Sequence, residues 1–143
     1  MELKEIIRRT TGTISIVINK ILDAQEVIRY QNLVREIIVA VEILDFAVKI
    51  VMATHPDSEY APQKVKKFVR YGAGPRGLQS LIRMAKARSL FHGRYHVSTG
   101  DLKQVAIPVL RHRIFLNFTG EAEGIEPETL IEEVISHLEN EGA

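Results

Sequence analysis

At 143 residues, with 45% hydrophobic and 26% charged side chains, the chain can bury one sizeable core and is short for two. The absence of cysteine removes disulfide frameworks, zinc–thiolate sites, iron–sulfur clusters and cysteine nucleophiles together, and fits a reducing, cytoplasmic compartment. The formal charge of +1 hides an asymmetry: Met1 to Phe118 carries 19 Lys and Arg against 10 Asp and Glu, whereas Thr119 to Ala143 has 8 acidic residues and no Lys or Arg.

The imbalance is sharpest from Tyr60 to Arg113, where 12 Lys and Arg meet a single carboxylate, Asp101. Such a segment either faces an anion or forms a solvated basic surface that the acidic tail balances in the fold. The opening residues, MELKEIIRRTTG, place charges where a signal peptide needs an apolar run, and no later stretch approaches the roughly 18 apolar residues of a spanning helix.

Helical periodicity dominates, so the expected fold is a mostly α bundle with one or two short extended segments. A first helix is predicted over Glu2 to Arg9, with Leu3, Ile6 and Ile7 on one side and Thr10 to Gly12 as its stop. The β-branched run Thr13 to Ile18 reads as a short strand or an extended connector. Asp23 sits at an N-cap, with a helix from Ala24 to about Ile37 behind it. After the apolar run Ile37 to Val41, the stripe Ile43, Leu44, Ala47, Ile50, Val51, Thr54 predicts a third helix that ends before His55-Pro56.

Pro56 to Gly77 is irregular, with three prolines and three glycines, and holds one short helix over Pro62 to Phe68. Gly74-Pro75-Arg76 then opens a long helix to about His92, with Leu78, Leu81, Ile82, Ala85 and Ser89 inside and Gly93 as its stop. Ser98 caps a helix through Leu110 that Pro108 should kink near Gln104, and His112 to Phe118 is expected to be extended. The acidic tail, 119–143, ends in an amphipathic helix over Glu126 to Asn140 that buries Leu130, Ile131, Val134, Ile135 and Leu138.

The segment most suggestive of chemistry is Tyr71-Gly72-Ala73-Gly74-Pro75-Arg76-Gly77, where small residues admit a ligand close to the backbone and a proline starts a helix. Arg76 is the second helical residue, and a cation there costs up to about 1 kcal/mol against the helix dipole unless an anion or carboxylate answers it. A bound phosphate answers both charges, and the arginine fork suits two of its oxygens. The alternative is that Arg76 pairs with a glutamate of a neighbouring helix or lies in solvent. Arg83 and Arg94, seven and eighteen positions beyond Arg76, fall near the same helix side and form with it either a basic ridge or a set of merely solvated cations.

His92, His96 and His112 have no metal-ligand spacing, and no metal site is expected. No nucleophile–base–acid arrangement can be argued, and Gly-x-x-x-x-Gly-Lys-Ser/Thr is absent, so the chain has no phosphate cradle of its own.

Gly72-Ala73-Gly74-Pro75-Arg76-Gly77 resembles the Gly-Ala-Ser-Pro-Arg-Ala sensor-2 motif of MoxR-type AAA+ ATPases. Upstream, Val41 to Ala47 and Ala53-Thr54 are similar to the family's lid helix ending in Ala-Thr-Arg. Downstream, Ala85 to Ala87, Gly93 to Val97, Asp101 and Val109 to Ile114 follow in the family's order. The resemblance covers about Asp23 to Leu116. Three positions depart from it: Gly74 replaces a capping serine, Gly77 an alanine, and His55 an arginine.

The resemblance implies an AAA+ lid of the C-terminal helical type over residues 1–143, with 1–22 as the connector from a nucleotide-binding core. It implies that Arg76 reaches the γ-phosphate of ATP, that Gly72, Ala73, Gly74 and Pro75 shape the binding loop, and that Mg is held by the core. It further implies a homo-oligomeric ring of six subunits, chaperone-like remodelling and a von Willebrand factor A-domain partner. Without Walker motifs, the segment alone should be inactive. Two competing readings are a nucleic-acid-binding helical domain, which the basic segment favours and the shortage of aromatics disfavours, and a helical protein-interaction module docking through its acidic last helix.

Overall fold

The computed structural model describes residues 2–13 and 19–141, which fall into two compact units, Met1–Tyr30 and Gln31–Ala143. In the first unit, helix α1 (Glu2–Thr11) leaves Leu3, Ile6 and Ile7 exposed and buries none of its residues. Helix α2 (Ala24–Glu36) begins in this unit at a reciprocal cap: the Glu26 amide donates to Asp23 Oδ1 and the Asp23 amide to Glu26 Oε2, both at 2.8 Å. The run expected to be strand or connector lies, beyond Thr13, outside the described residues.

The second unit carries the core. Helix α3 (Val41–Ala53) buries Ala47, Ile50, Val51 and Ala53 and is capped by the buried Thr54. Leu44, expected on its inner stripe, is 43% exposed. The apolar residues before α3 are extended: Ile38 pairs with the chain around His96, its amide donating to Tyr95 O and its carbonyl accepting from the Val97 amide. Helix α4 (Gln63–Phe68) follows Pro62 and runs straight into strand β1 (Val69–Tyr71).

Helix α5 (Pro75–Phe91) has Pro75 in its first turn and ends before Gly93, whose φ of +69° suits a residue without Cβ. Helix α6 (Thr99–Leu110) runs on through Pro108 and starts at a full capping box between Ser98 and Asp101. These two helices form the most extensive helix–helix contact of the unit.

A single 3-10 turn at Arg111–Arg113 leads to strand β2 (Phe115–Leu116), antiparallel to β1 with Val69 opposite Leu116 and Tyr71 opposite Phe115. The extended expectation for residues 112 to 118 thus holds only at its centre, because Asn117 caps helix α7 (Phe118–Ala122) with its side chain. Helix α8 (Pro127–Glu141) closes the bundle on Leu130, Ile131, Val134, Ile135 and Leu138, all buried. Each such side chain contributes about 1.5–3 kcal/mol when fully removed from water. Among the described residues, no helix is long and apolar enough to cross a membrane.

Candidate functional site

The turn that presents Arg76 is fixed from both sides by the end of α3. Thr54 Oγ1 accepts the Ala73 amide at 2.9 Å and donates to Val51 O at 2.6 Å, so the buried hydroxyl spends its capacity on two backbone groups. His55 Nε2 lies 3.0 Å from the Ala73 carbonyl oxygen, an arrangement that places the ring proton on Nε2. Both backbone groups of Ala73, itself fully buried, are therefore held by neighbouring residues of one helix end. Gly72 is what lets this loop approach the end of α3: a Cβ there would stand 2.6 Å from both Thr54 O and Thr54 Oγ1. His55 supplies a donor at the position where an arginine was expected.

Gly74 occupies the N-cap position of α5 without a side-chain cap, and a Cβ there would meet nothing within 4 Å. A serine would fit, so the loss is of one capping hydroxyl and not of the turn, which the Gly77 amide closes on Gly74 O at 2.7 Å. The first turn of α5 contains no acidic residue.

Arg76 projects from that turn into solvent and, among the described residues, has no carboxylate partner. The pairing with a glutamate of a neighbouring helix is not found. One turn on, Ser80 Oγ donates to Arg76 O at 2.8 Å and accepts from Arg113 Nη2 at 3.3 Å. Arg83 follows on the same side of α5, on the rim of a groove of about 900 Å³ floored by Val34, Leu44, Leu78 and Ile82.

Arg94 does not belong to this ridge. Its fork grips Asp101, Nη1 to Oδ2 at 2.8 Å and Nη2 to Oδ1 at 2.7 Å, while Arg88 Nε approaches Oδ1 at 3.5 Å. The Arg94 hydrogen bonds, followed by those from the Ser98 amide and hydroxyl, hold the Asp101 carboxyl well below the usual carboxylate range against the opposing effect of burial. The single carboxylate of the basic segment is a structural anchor for the α5–α6 turn.

The acidic tail answers much of the remaining basic charge: Lys64 pairs with Glu133, Lys67 with Glu123, Lys103 with Glu139 and Arg111 with Glu128. Such exposed pairs are worth little in stability, but they remove these cations from any continuous anionic track. Among the described residues, no group of three or more His, Asp or Glu is placed to hold a metal ion.

Sequence reasoning placed Gly72 to Arg76 correctly on a loop and helix start but missed the residues that support them. Thr54 and Arg113 entered the sequence reading only within the stripe and the matched stretches, Ser80 did not enter it, and the contacts that join them to this turn carried no sequence signal.

The AAA lid domain family model matches residues 63–134. Chaperone MoxR1 of Mycobacterium tuberculosis is 32% identical over 116 residues, which is 81% of this chain and 31% of that protein. Protein MoxR of Paracoccus denitrificans is 43% identical over 51 residues, 36% of this chain and 15% of that protein. A crystal structure of a candidate ATPase from Cytophaga hutchinsonii superimposes with a TM-score of 0.82 at 30% identity, covering 94% of this chain and 41% of that one. The chain thus spans about a third or less of these curated relatives.

Proposed function

The chain belongs to the AAA lid domain family, in its MoxR branch, and on that footing we propose that it serves as the nucleotide-responsive lid of a MoxR-type AAA+ ATPase. In this reading Arg76 is the catalytic contact, reaching the γ-phosphate of ATP held by a separate nucleotide-binding core, and Gly72, Ala73, Gly74 and Pro75 shape the loop that carries it. The observation that supports this most is an exposed guanidinium with, among the described residues, no carboxylate partner, set beside the positive end of a 17-residue helix whose first turn lacks an acid. That arrangement is unfavourable alone and favourable with an anion.

ATP supplies the phosphate, and in this reading the magnesium that accompanies it is held by the core. Loss of the γ-phosphate removes a contact made only with ATP, so lid position reports the nucleotide state. By the same reading the whole protein is a cytoplasmic ATPase that assembles as a ring of six, acts as a chaperone-like remodeller, and works with a von Willebrand factor A-domain protein. The name Chaperone MoxR1 of the tuberculosis relative supports the chaperone part. The nucleic-acid reading is weakened by the acidic helix that pairs with Lys64, Lys103 and Arg111.

The test is steady-state ATP turnover by the full-length protein with Arg76→Ala. Loss of a charge-assisted contact made in the transition state should lower turnover by about tenfold or more, with the circular dichroism spectrum unchanged. Unaltered turnover would remove Arg76 from the reaction.

A further inference from the structure

Arg113 is a half-buried arginine that, among the described residues, has no carboxylate partner, in contrast to its neighbour Arg111, which meets Glu128. Desolvating a guanidinium without an opposite charge is unfavourable, and an apolar chain of similar length would fill the space at lower cost. What the guanidinium does instead is specific. Nε donates to Val109 O at 3.1 Å, which orients the fork, and Nη2 donates to Ser80 Oγ at 3.3 Å. The Ser80 hydroxyl in turn donates to the carbonyl of Arg76 at 2.8 Å. The stem passes under the same turn: a Cβ on Gly77 would lie 3.4 Å from Arg113 Cδ.

From this chain of contacts we infer that Arg113 is a positioning residue for Arg76, acting through Ser80. A cationic donor on the Ser80 oxygen strengthens the hydroxyl as a donor to the Arg76 peptide. The peptide plane sets where the Arg76 side chain leaves the helix, and the close fit under Gly77 holds that turn at one height. The unanswered charge of Arg113 also adds to the positive potential that an anion at Arg76 would meet. The inference rests on the reading of Arg76 as the phosphate contact.

A double-mutant cycle on the full-length ATPase tests it, with Arg76→Ala, Arg113→Met and the pair. Arg113→Met should lower kcat about fivefold to tenfold with its melting temperature nearly kept, and should add little once Arg76 is already alanine. Arg113→Lys, which keeps charge but loses the fork, should recover only part. Ser80→Ala, a mild surface change that does not threaten folding, should give a loss of about twofold to threefold in kcat.

Additive losses in the pair, losses that track the melting temperature, or full activity in Ser80→Ala would each overturn the role of Arg113 while leaving Arg76 in place. Full activity of Arg76→Ala would overturn both readings together.

Discussion

Thr54 and Ala73, 19 residues apart in sequence, are joined by a 2.9 Å hydrogen bond in which a fully buried hydroxyl accepts a buried backbone amide. This bond, with His55 on the carbonyl side of the same residue, ties the end of α3 to the turn before α5. The direction of Arg76 is thereby set by the core and not by the loop alone.

Thr54→Val keeps the shape of the side chain but leaves the Ala73 amide without its acceptor. The expected cost is about 1–3 kcal/mol, the usual penalty for a stranded buried donor. Urea unfolding of the chain should show it, and Thr54→Ser should recover most of the loss. Equal stability of the valine variant would mean that the amide finds another partner.

Gly72→Ala forces a methyl group to within 2.6 Å of the Thr54 backbone oxygen. Overpacking of this kind costs about 1–3 kcal/mol, and backbone cannot step aside as a flexible side chain would. In contrast, Gly74→Ala and Gly74→Ser meet open space. The serine should be neutral or stabilising by a few tenths of a kcal/mol through its capping hydroxyl. Thermal melts of these variants should rank Gly72→Ala far below both Gly74 substitutions.

Asp101 gives the chain an acid-sensitive element. Its carboxyl is held below the ordinary aspartate value by the Arg94 fork above all, then by Ser98. A folded-state value lower than the unfolded one means stability that is fully present above about pH 4 and lost as pH falls toward the folded value. Chemical unfolding should therefore show this contribution constant from about pH 5 to 8 and declining below about pH 4. Asp101→Asn should lose on the order of 2–3 kcal/mol at neutral pH and lack this part of the acid decline, so the two proteins converge in acid. Parallel pH profiles would contradict the assignment.

Arg76→Ala should not weaken the fold. It removes a cation from the wrong end of the helix dipole and puts in the best helix former, so the chain should gain from a few tenths to about 1 kcal/mol. A loss of stability, read by urea unfolding, would show that Arg76 has a structural partner.

The legible parts of the fold were those with strong local signals. Pro75 after two glycine-bearing positions, the Ser98–Asp101 cap and the five apolar residues of α8 each announced an element and its buried face. The sheet was not legible, because β1 is three residues long and β2 two, too short for alternation to register. The α7 cap at Asn117 was hidden inside a run that looked extended.

At the site, Arg76 could be picked out because a proline fixes where its helix begins. Arg94 does not join the ridge because it lies beyond the end of α5, past Gly93, where helical spacing from Arg76 no longer applies and the Asp101 carboxylate of α6 takes its fork. Thr54, Ser80 and Arg113 act through contacts 19 to 33 residues away, which no local pattern reveals.

The most direct test of the central claim is the affinity of the full-length protein for a slowly hydrolysed ATP analogue and for ADP, measured by calorimetry on the wild type and Arg76→Ala. A γ-phosphate contact predicts that the substitution weakens the ATP analogue about tenfold or more, as expected for one charge-assisted hydrogen bond, and leaves ADP nearly unchanged. Equal weakening of both nucleotides, or of neither, would contradict it.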